Sequence, residues 1–236
     1  MNSFLTFILL SACAVCQAEL IEHSINLPDG PPPYPVVIAL HSSGGFQTIK
    51  KQIKKYTKEG YMVVAPNFFK RHSLNHRNRF ETWTTYREPI EAELIDLISA
   101  IQKDPNVDSK NIFAVGFSNG GYWASFLAAK QYVNAGVSHY GVWSFPKHNG
   151  NPADYFDEKS HPVLALHGAQ ETVQRLKFVE PEIRRAQMKS QQLQFHLFKE
   201  VGHSWDCKPC KEDGYNQHVS DESLRMTLEF FKNNKK

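Results

Sequence analysis

The sequence predicts an α/β architecture of three layers: a mostly parallel central sheet with helices on both faces. Three observations lead there. Short β-branched apolar runs alternate along the chain with longer segments of helical periodicity. The runs are continuously apolar rather than alternating, as strands buried on both sides require. Apolar residues make up 41% of the 236 positions and charged residues 22%, enough to bury a full core. No repeat, low-complexity tract or composition shift divides the chain, so residues 19–236 read as one domain.

The elements follow in order. Leu20 to Leu27 is strand-like and is stopped by the proline-rich stretch Pro28 to Pro35. Val36 to Leu40 is a β-branched strand. Thr48 to Glu59 places Ile49, Ile53 and Tyr56 at helical spacing, with lysines on the other side. Tyr61 to Ala65 is the next buried strand. Pro89 to Gln102 is a helix with Ile90, Leu94, Leu97, Ile98 and Ile101 on one face, ended by Asp104-Pro105. Ile112 to Phe117, Ala135 to Tyr140, Val163 to Leu166 and Phe195 to Phe198 read as strands. Tyr122 to Lys130, Val173 to Lys189 and Glu222 to Lys232 read as helices. Pro181 is expected to kink the second of these or begin a new one. Phe145 to Ser160 is polar and aperiodic and reads as a surface excursion.

The N-terminus reads as a targeting segment. Met1 to Ala18 carries no charge, Phe4 to Leu10 is apolar apart from Thr6, and small residues lead to Ala18. Residues 1–18 therefore read as a secretory signal peptide cut after Ala18, although the usual basic n-region is missing. Leu10-Ser11-Ala12-Cys13 also resembles a bacterial lipobox, which would anchor the chain by lipid at Cys13. Either route makes the protein exported, periplasmic or secreted. After cleavage Cys207 and Cys210 are the remaining cysteines, and an even pair in an exported protein is expected to form a disulfide. No other apolar run is long enough to span a bilayer. The net charge of +3 is too small an excess to predict a nucleic-acid partner.

The strongest chemical motif is Gly116-Phe117-Ser118-Asn119-Gly120-Gly121, between a strand and a helix. In that setting G-x-S-x-G is a nucleophile elbow. A sharp turn projects Ser118, small neighbours clear space, and the new helix offers its first N–H groups to an oxyanion. A serine needs a base, and the base an orienter. In an α/β-hydrolase the order is Ser, then Asp/Glu, then His. His203 follows the strand Phe195 to Phe198 in Gly202-His203-Ser204, on a loop, whereas His196 lies inside the strand and His218 beyond it. Glu171 is the first carboxylate after Val163 to Leu166. Glu180 falls inside a helix and Asp206 on the other strand's loop. The expected triad is Ser118, His203 and Glu171. The expected oxyanion donors are the N–H groups of Asn119 and of Ser43, in His41-Ser42-Ser43-Gly44-Gly45 after the first core strand.

These residues carry a resemblance to the α/β-hydrolase superfamily, and within it to the dienelactone hydrolase family. The elbow resembles that family's G-x-C-x-G-G. His167-Gly168-Ala169-Gln170-Glu171 resembles its acid loop, and Gly202-His203 its base loop. His139-Tyr140-Gly141-Val142 resembles its Y-Y-G-V segment, and Ala65 to Arg71 its A-P-D-L-Y-x-R segment. Ser118 stands where the family uses cysteine, Glu171 where it uses aspartate, and the His41 to Gly45 loop is closer to those of esterases and peptidases. The resemblance implies the α/β-hydrolase fold and acyl chemistry on a small-molecule ester or lactone, without a cofactor or metal. A small serine peptidase and an inactive binding module of the same fold are the alternatives. With 218 residues after the leader there is little room for a large cap domain. Arg71 aligns with the family's pocket arginine, in a basic stretch running to Arg79, and implies a preference for anionic or polar esters. Phe69 and Trp143, with Phe68, Trp83 and Phe145, are expected to wall the pocket.

Cys207-Lys208-Pro209-Cys210 also admits a redox pair or a metal site with His203 and His218. Its place near the C-terminus, away from a long helix after an early strand, argues against the redox reading.

Overall fold

A computed structural model describes residues 19–145, 150–208 and 214–236. The expected leader, Cys13 included, and Cys210 of the expected disulfide lie outside the described residues. Seven strands form one sheet: β1 (His23–Asn26), β2 (Tyr34–Leu40), β3 (Met62–Pro66), β4 (Val107–Phe117), β5 (Ala135–His139), β6 (Val163–Gly168) and β7 (Leu193–Phe198). Their order is β1-β3-β2-β4-β5-β6-β7. β1 runs antiparallel to β3 and every other pair is parallel.

Among the described residues five α-helices cover it: α1 (Lys50–Lys58), α2 (Arg87–Ile101), α3 (Asn119–Ala129), α4 (Leu176–Lys189) and α5 (Gln217–Asn233). The period-2 geometry of the strands sorts side chains to two cores. Val36, Ile38 and Leu40 join Ile90 and Leu94 of α2, Trp123 of α3 and Val179 and Ile183 of α4. Val37 and Ala39 join Ile53 and Tyr56 of α1 and Val219 and Phe231 of α5. Both faces are covered, which is why the strands read as unbroken apolar runs. α3 is buried along its whole length and is apolar on every side apart from its glycines, Asn119 and Ser125. Among the described residues no helix is long and apolar enough to cross a membrane.

Several local expectations change, among them the start of α5 at Gln217 rather than Glu222. β1 spans only His23–Asn26, because only these residues find a partner in β3. β4 begins five residues before Ile112. Its polar start, Val107 to Asn111, pairs with Tyr34 across a register irregularity. α4 starts at Leu176 rather than Val173, because Arg175 is extended (φ −55°, ψ 132°) and separates the turn that the Glu171 carboxylate holds at Val173 and Gln174 from the helix. The same helix runs through Pro181 without a new start. Finally, the stretch after Phe145 is not purely superficial. Phe145, Ala153 and Phe156 are buried in the core on the α2–α4 side.

Candidate active site

Parallel strands carry their loops to one edge of the sheet, and the three expected triad residues meet there. Ser118 lies between β4 and α3 with φ 52° and ψ −109°, a conformation that a non-glycine residue adopts only under constraint. The constraint is backbone packing. A Cβ on Gly116 would stand 1.8 Å from the Gly120 carbonyl oxygen, and one on Gly120 would stand 2.1 Å from that of Leu40. Nothing larger than glycine fits either place. The Ser118 N–H donates to the His139 carbonyl (3.0 Å), and the Ser118 carbonyl accepts from Gly121 (2.9 Å) and Val142 (3.2 Å). The residue is 7% exposed.

His203 Nε2 lies 3.0 Å from Ser118 Oγ, and its Nδ1 lies 2.7 Å from Glu171 Oε2. A carboxylate only accepts, so the proton sits on Nδ1 and Nε2 is left to accept from the serine hydroxyl. Glu171 Oε1 accepts from the N–H groups of Val173 (2.8 Å) and Gln174 (3.1 Å). Burial pushes the Glu171 pKa up, but the hydrogen bonds from His203 and Gln174 outweigh it and hold it below the usual glutamate value. Its side chain is fully buried and its carboxylate faces His203 Nδ1.

Gln174 is a site residue that the sequence did not single out. Its side-chain oxygen accepts from the N–H groups of Trp143 (3.1 Å) and Ser144 (3.3 Å), and its carbonyl bonds His167 Nε2 (2.8 Å). It thus ties the acid loop to the loop after β5. Only its nearness to Glu171 in sequence could have pointed to it. Tyr140 is a second. Its ring meets that of His203 edge-on, with centroids 4.9 Å apart.

The loop after β2 packs against the elbow helix. His41 is fully buried and stacks on Phe68 with centroids 3.9 Å apart, and its Nδ1 bonds the Ser42 carbonyl (2.8 Å). Burial lowers its pKa to about 4, so the ring is neutral. Among the described residues neither the Ser43 N–H nor the Asn119 N–H has a hydrogen-bond partner. Ser43 borders a groove of about 310 Å³ that Phe69, Leu74, Asn75 and His76 also line. A second hollow of about 210 Å³ lies beside the acid loop, between Ser144, Val173, Gln174 and Phe178.

Most of the expected pocket residues are held by neighbours within the fold. The Arg71 guanidinium is engaged by Glu93 (3.1 Å) and by the carbonyls of Glu19 (2.8 Å) and Leu20 (3.2 Å). Its donors thus meet the start of the described chain just before β1, while the side chain stays 41% exposed beside Lys70 and Glu22. Trp143 is 1% exposed and packs near Phe156 within the core. Phe68, Trp83 and Phe145 are likewise core residues, with Trp83 stacked on Phe145 at 4.8 Å. Phe69 is buried too but keeps a face on the groove. Among the described residues no three His, Cys, Asp or Glu side chains converge as a metal site would require.

The family model for the dienelactone hydrolase family matches residues 21–235. The chain belongs to the dienelactone hydrolase family. Carboxymethylenebutenolidase of Pseudomonas putida is 26% identical over 190 residues, covering 73% of this chain and 75% of that protein. Among solved structures, a dienelactone hydrolase-like promiscuous phosphotriesterase from metagenomic libraries superposes with a TM-score of 0.69 at 19% identity. It covers 91% of this chain and 92% of that one. An esterase from Thermogutta terrifontis with propionate bound superposes with a TM-score of 0.69 at 13% identity, over 89% and 88% of the two chains. As a dienelactone hydrolase family member, the chain is a hydrolase of the α/β-hydrolase fold acting on small molecules.

Proposed function

We propose that the protein is a serine hydrolase that cleaves carboxylic esters or lactones through an acyl-enzyme. One observation carries the reading: a strained Ser118 within 3.0 Å of His203 Nε2, whose Nδ1 is 2.7 Å from the buried Glu171 carboxylate. Ser118 Oγ attacks the substrate carbonyl while His203 takes its proton at Nε2. Glu171 holds the tautomer that makes this transfer productive and stabilises the imidazolium. The N–H groups of Asn119 and Ser43 receive the oxyanion, a role that their lack of partners supports. His203 then returns the proton to the leaving oxygen, and the acyl group remains on Ser118. A water molecule, deprotonated by His203, releases the acid and restores the serine. The groove that Ser43 borders is the candidate place for one substrate half, since it reaches a proposed oxyanion donor.

A fluorophosphonate probe is expected to label the protein at Ser118 and to fail on Ser118→Ala. Labelling that persists in the variant would overturn the assignment. Export belongs to the same proposal. Intact-mass analysis of protein from its native host is expected to give a chain starting at Glu19. A lipid-modified Cys13 marks the anchored route instead, and an uncleaved Met1 would refute both. The same spectrum reports whether Cys207 and Cys210 are oxidised.

A further inference from the structure

The loop that carries His203 also carries a second carboxylate, Asp206, which the Ser-His-Glu reading leaves without a role. Asp206 is bound at both oxygens by side chains from other parts of the fold. Oδ1 accepts from the Tyr140 hydroxyl at 2.6 Å, and Oδ2 accepts from the Gln52 side-chain amide on α1. Two accepting oxygens are the pattern of an ionised carboxylate, since a protonated one would have to donate. Tyr140 in turn is wedged between two members of the same loop. Its ring lies edge-on to His203 at 4.9 Å and edge-on to Trp205 at 4.8 Å. Its own backbone, at the end of β5, has φ 39°, and that of Ser204 has φ 59°. Two strained residues therefore flank the contact between base and phenol. Strain of this kind persists only where the surroundings over-determine it.

We propose that Asp206, acting through Tyr140, is a positioning residue for His203. It docks the base-bearing loop onto β5 and α1, sets the imidazole ring against Ser118, and supplies a second negative charge that favours the imidazolium during acyl transfer. The proposal rests on the reading of His203 as the base. The charged and titratable neighbours are few. His203 faces Ser118, Glu171 and Tyr140, with the buried His167 and Asp206 acting electrostatically. Asp206 faces Tyr140 and Gln52, with Lys55 and Tyr56 of α1 and His203 acting electrostatically. Burial raises the Asp206 pKa above the ordinary aspartate value, and the Tyr140 hydrogen bond and Lys55 offset only part of that rise. Burial, followed by the charge of Asp206, pushes the Tyr140 phenol well up and keeps it a donor.

The test uses the full chain with Tyr140→Phe and Asp206→Asn. It reads the second-order rate of fluorophosphonate labelling, its final stoichiometry, and kcat and KM for a neutral chromogenic ester across pH. Both variants are expected to lose about five- to thirtyfold in kcat and in labelling rate, with KM within about twofold and full final stoichiometry. In Asp206→Asn the acidic limb of the kcat/KM profile should move to lower pH, because a nearby negative charge no longer favours the protonated base. A purely structural role would cut final stoichiometry and leave the limb in place. That result in Asp206→Asn, or wild-type rate and profile in Tyr140→Phe, overturns the proposal. Tyr140→Phe loses a single oxygen and should fold even if Asp206→Asn does not. Ser118→Ala separates this from the parent reading: activity retained there sinks the triad itself, whatever Asp206 does.

Discussion

The elbow and the loop after β7 hold Ser118 and His203 at or beside a positive φ, but by opposite means. At the elbow the fit is backbone against backbone. Gly116, Gly120 and the end of β2 interlock so closely that a single methyl group would collide with a carbonyl oxygen. At the base loop the fit is side chain against side chain. Trp205 is fully buried and its indole N–H donates to Ser223 of α5 (3.1 Å), Asp206 reaches Tyr140 and Gln52, and Glu171 holds the imidazole. The Gly116–Gly120 part of this interlock lies within six residues and leaves a local signature. Side-chain docking from four distant segments does not.

The sharpest test of this contrast is Gly116→Ala. Its Cβ would stand 1.8 Å from a backbone oxygen, which cannot move without breaking the turn. A loss beyond about 4 kcal/mol of stability is expected, with no soluble active enzyme. Ser204→Ala at the other region changes a side chain of similar size and should fold normally. Equal stability of the two by urea denaturation would break the distinction.

Glu171→Gln is expected to keep the fold and lower kcat about 10³- to 10⁴-fold, because an amide no longer enforces the productive tautomer. Stopped-flow labelling with a fluorophosphonate reads this directly. A loss below about tenfold would mean that the imidazole is oriented mainly by Tyr140 and the loop.

The smallest effect concerns His139, which joins the two regions. Its carbonyl accepts from Ser118, its Nε2 bonds Thr227 of α5 (2.9 Å), and its ring lies beside Phe117 and Trp205. Burial, then Lys55, lowers its pKa to about 3 from an ordinary value of 6.5. A neutral folded histidine takes up its proton readily only after unfolding. Its contribution is therefore complete above about pH 6.5 and is lost as pH falls from there toward 3. His41 acts in the same direction, toward about 4. Urea midpoints are expected to fall across this range in the wild type and to fall less steeply in His139→Gln. Parallel slopes would refute the assignment.

Glu171 adds a carboxylate effect at lower pH. Its folded pKa lies below 4.5, so its share of stability is present above that value and is lost as pH falls through the folded pKa.

The layers of the fold were legible from the chain because burial on two faces imposes continuous apolar strands, and helices must carry apolar stripes. The ends of elements were less so. Val173 and Gln174 have helical character, yet their N–H groups bond a carboxylate whose position is set by His203. Arg71 shows the same limit at the site. Its type and motif pointed to an anion, but Glu93 and two carbonyls from the start of the described chain occupy its donors. Neither partner is readable from the local pattern.

By itself the sequence determined the sheet-and-helix layering, the strand-turn-helix around Ser118, and the loops on which Glu171 and His203 follow it. Each of these is enforced over a few consecutive residues by sterics, periodicity or loop position. Only the tertiary structure decided that His203 stands between Ser118 and Glu171, that Gln174 and Tyr140 flank them, that Arg71 meets Glu93 and two backbone carbonyls, and that Trp143 lies in the core. Those outcomes depend on which side chains from β5, β6, α1 and the base loop share one small volume. That choice is made by packing across the sheet, where separation along the chain carries no information.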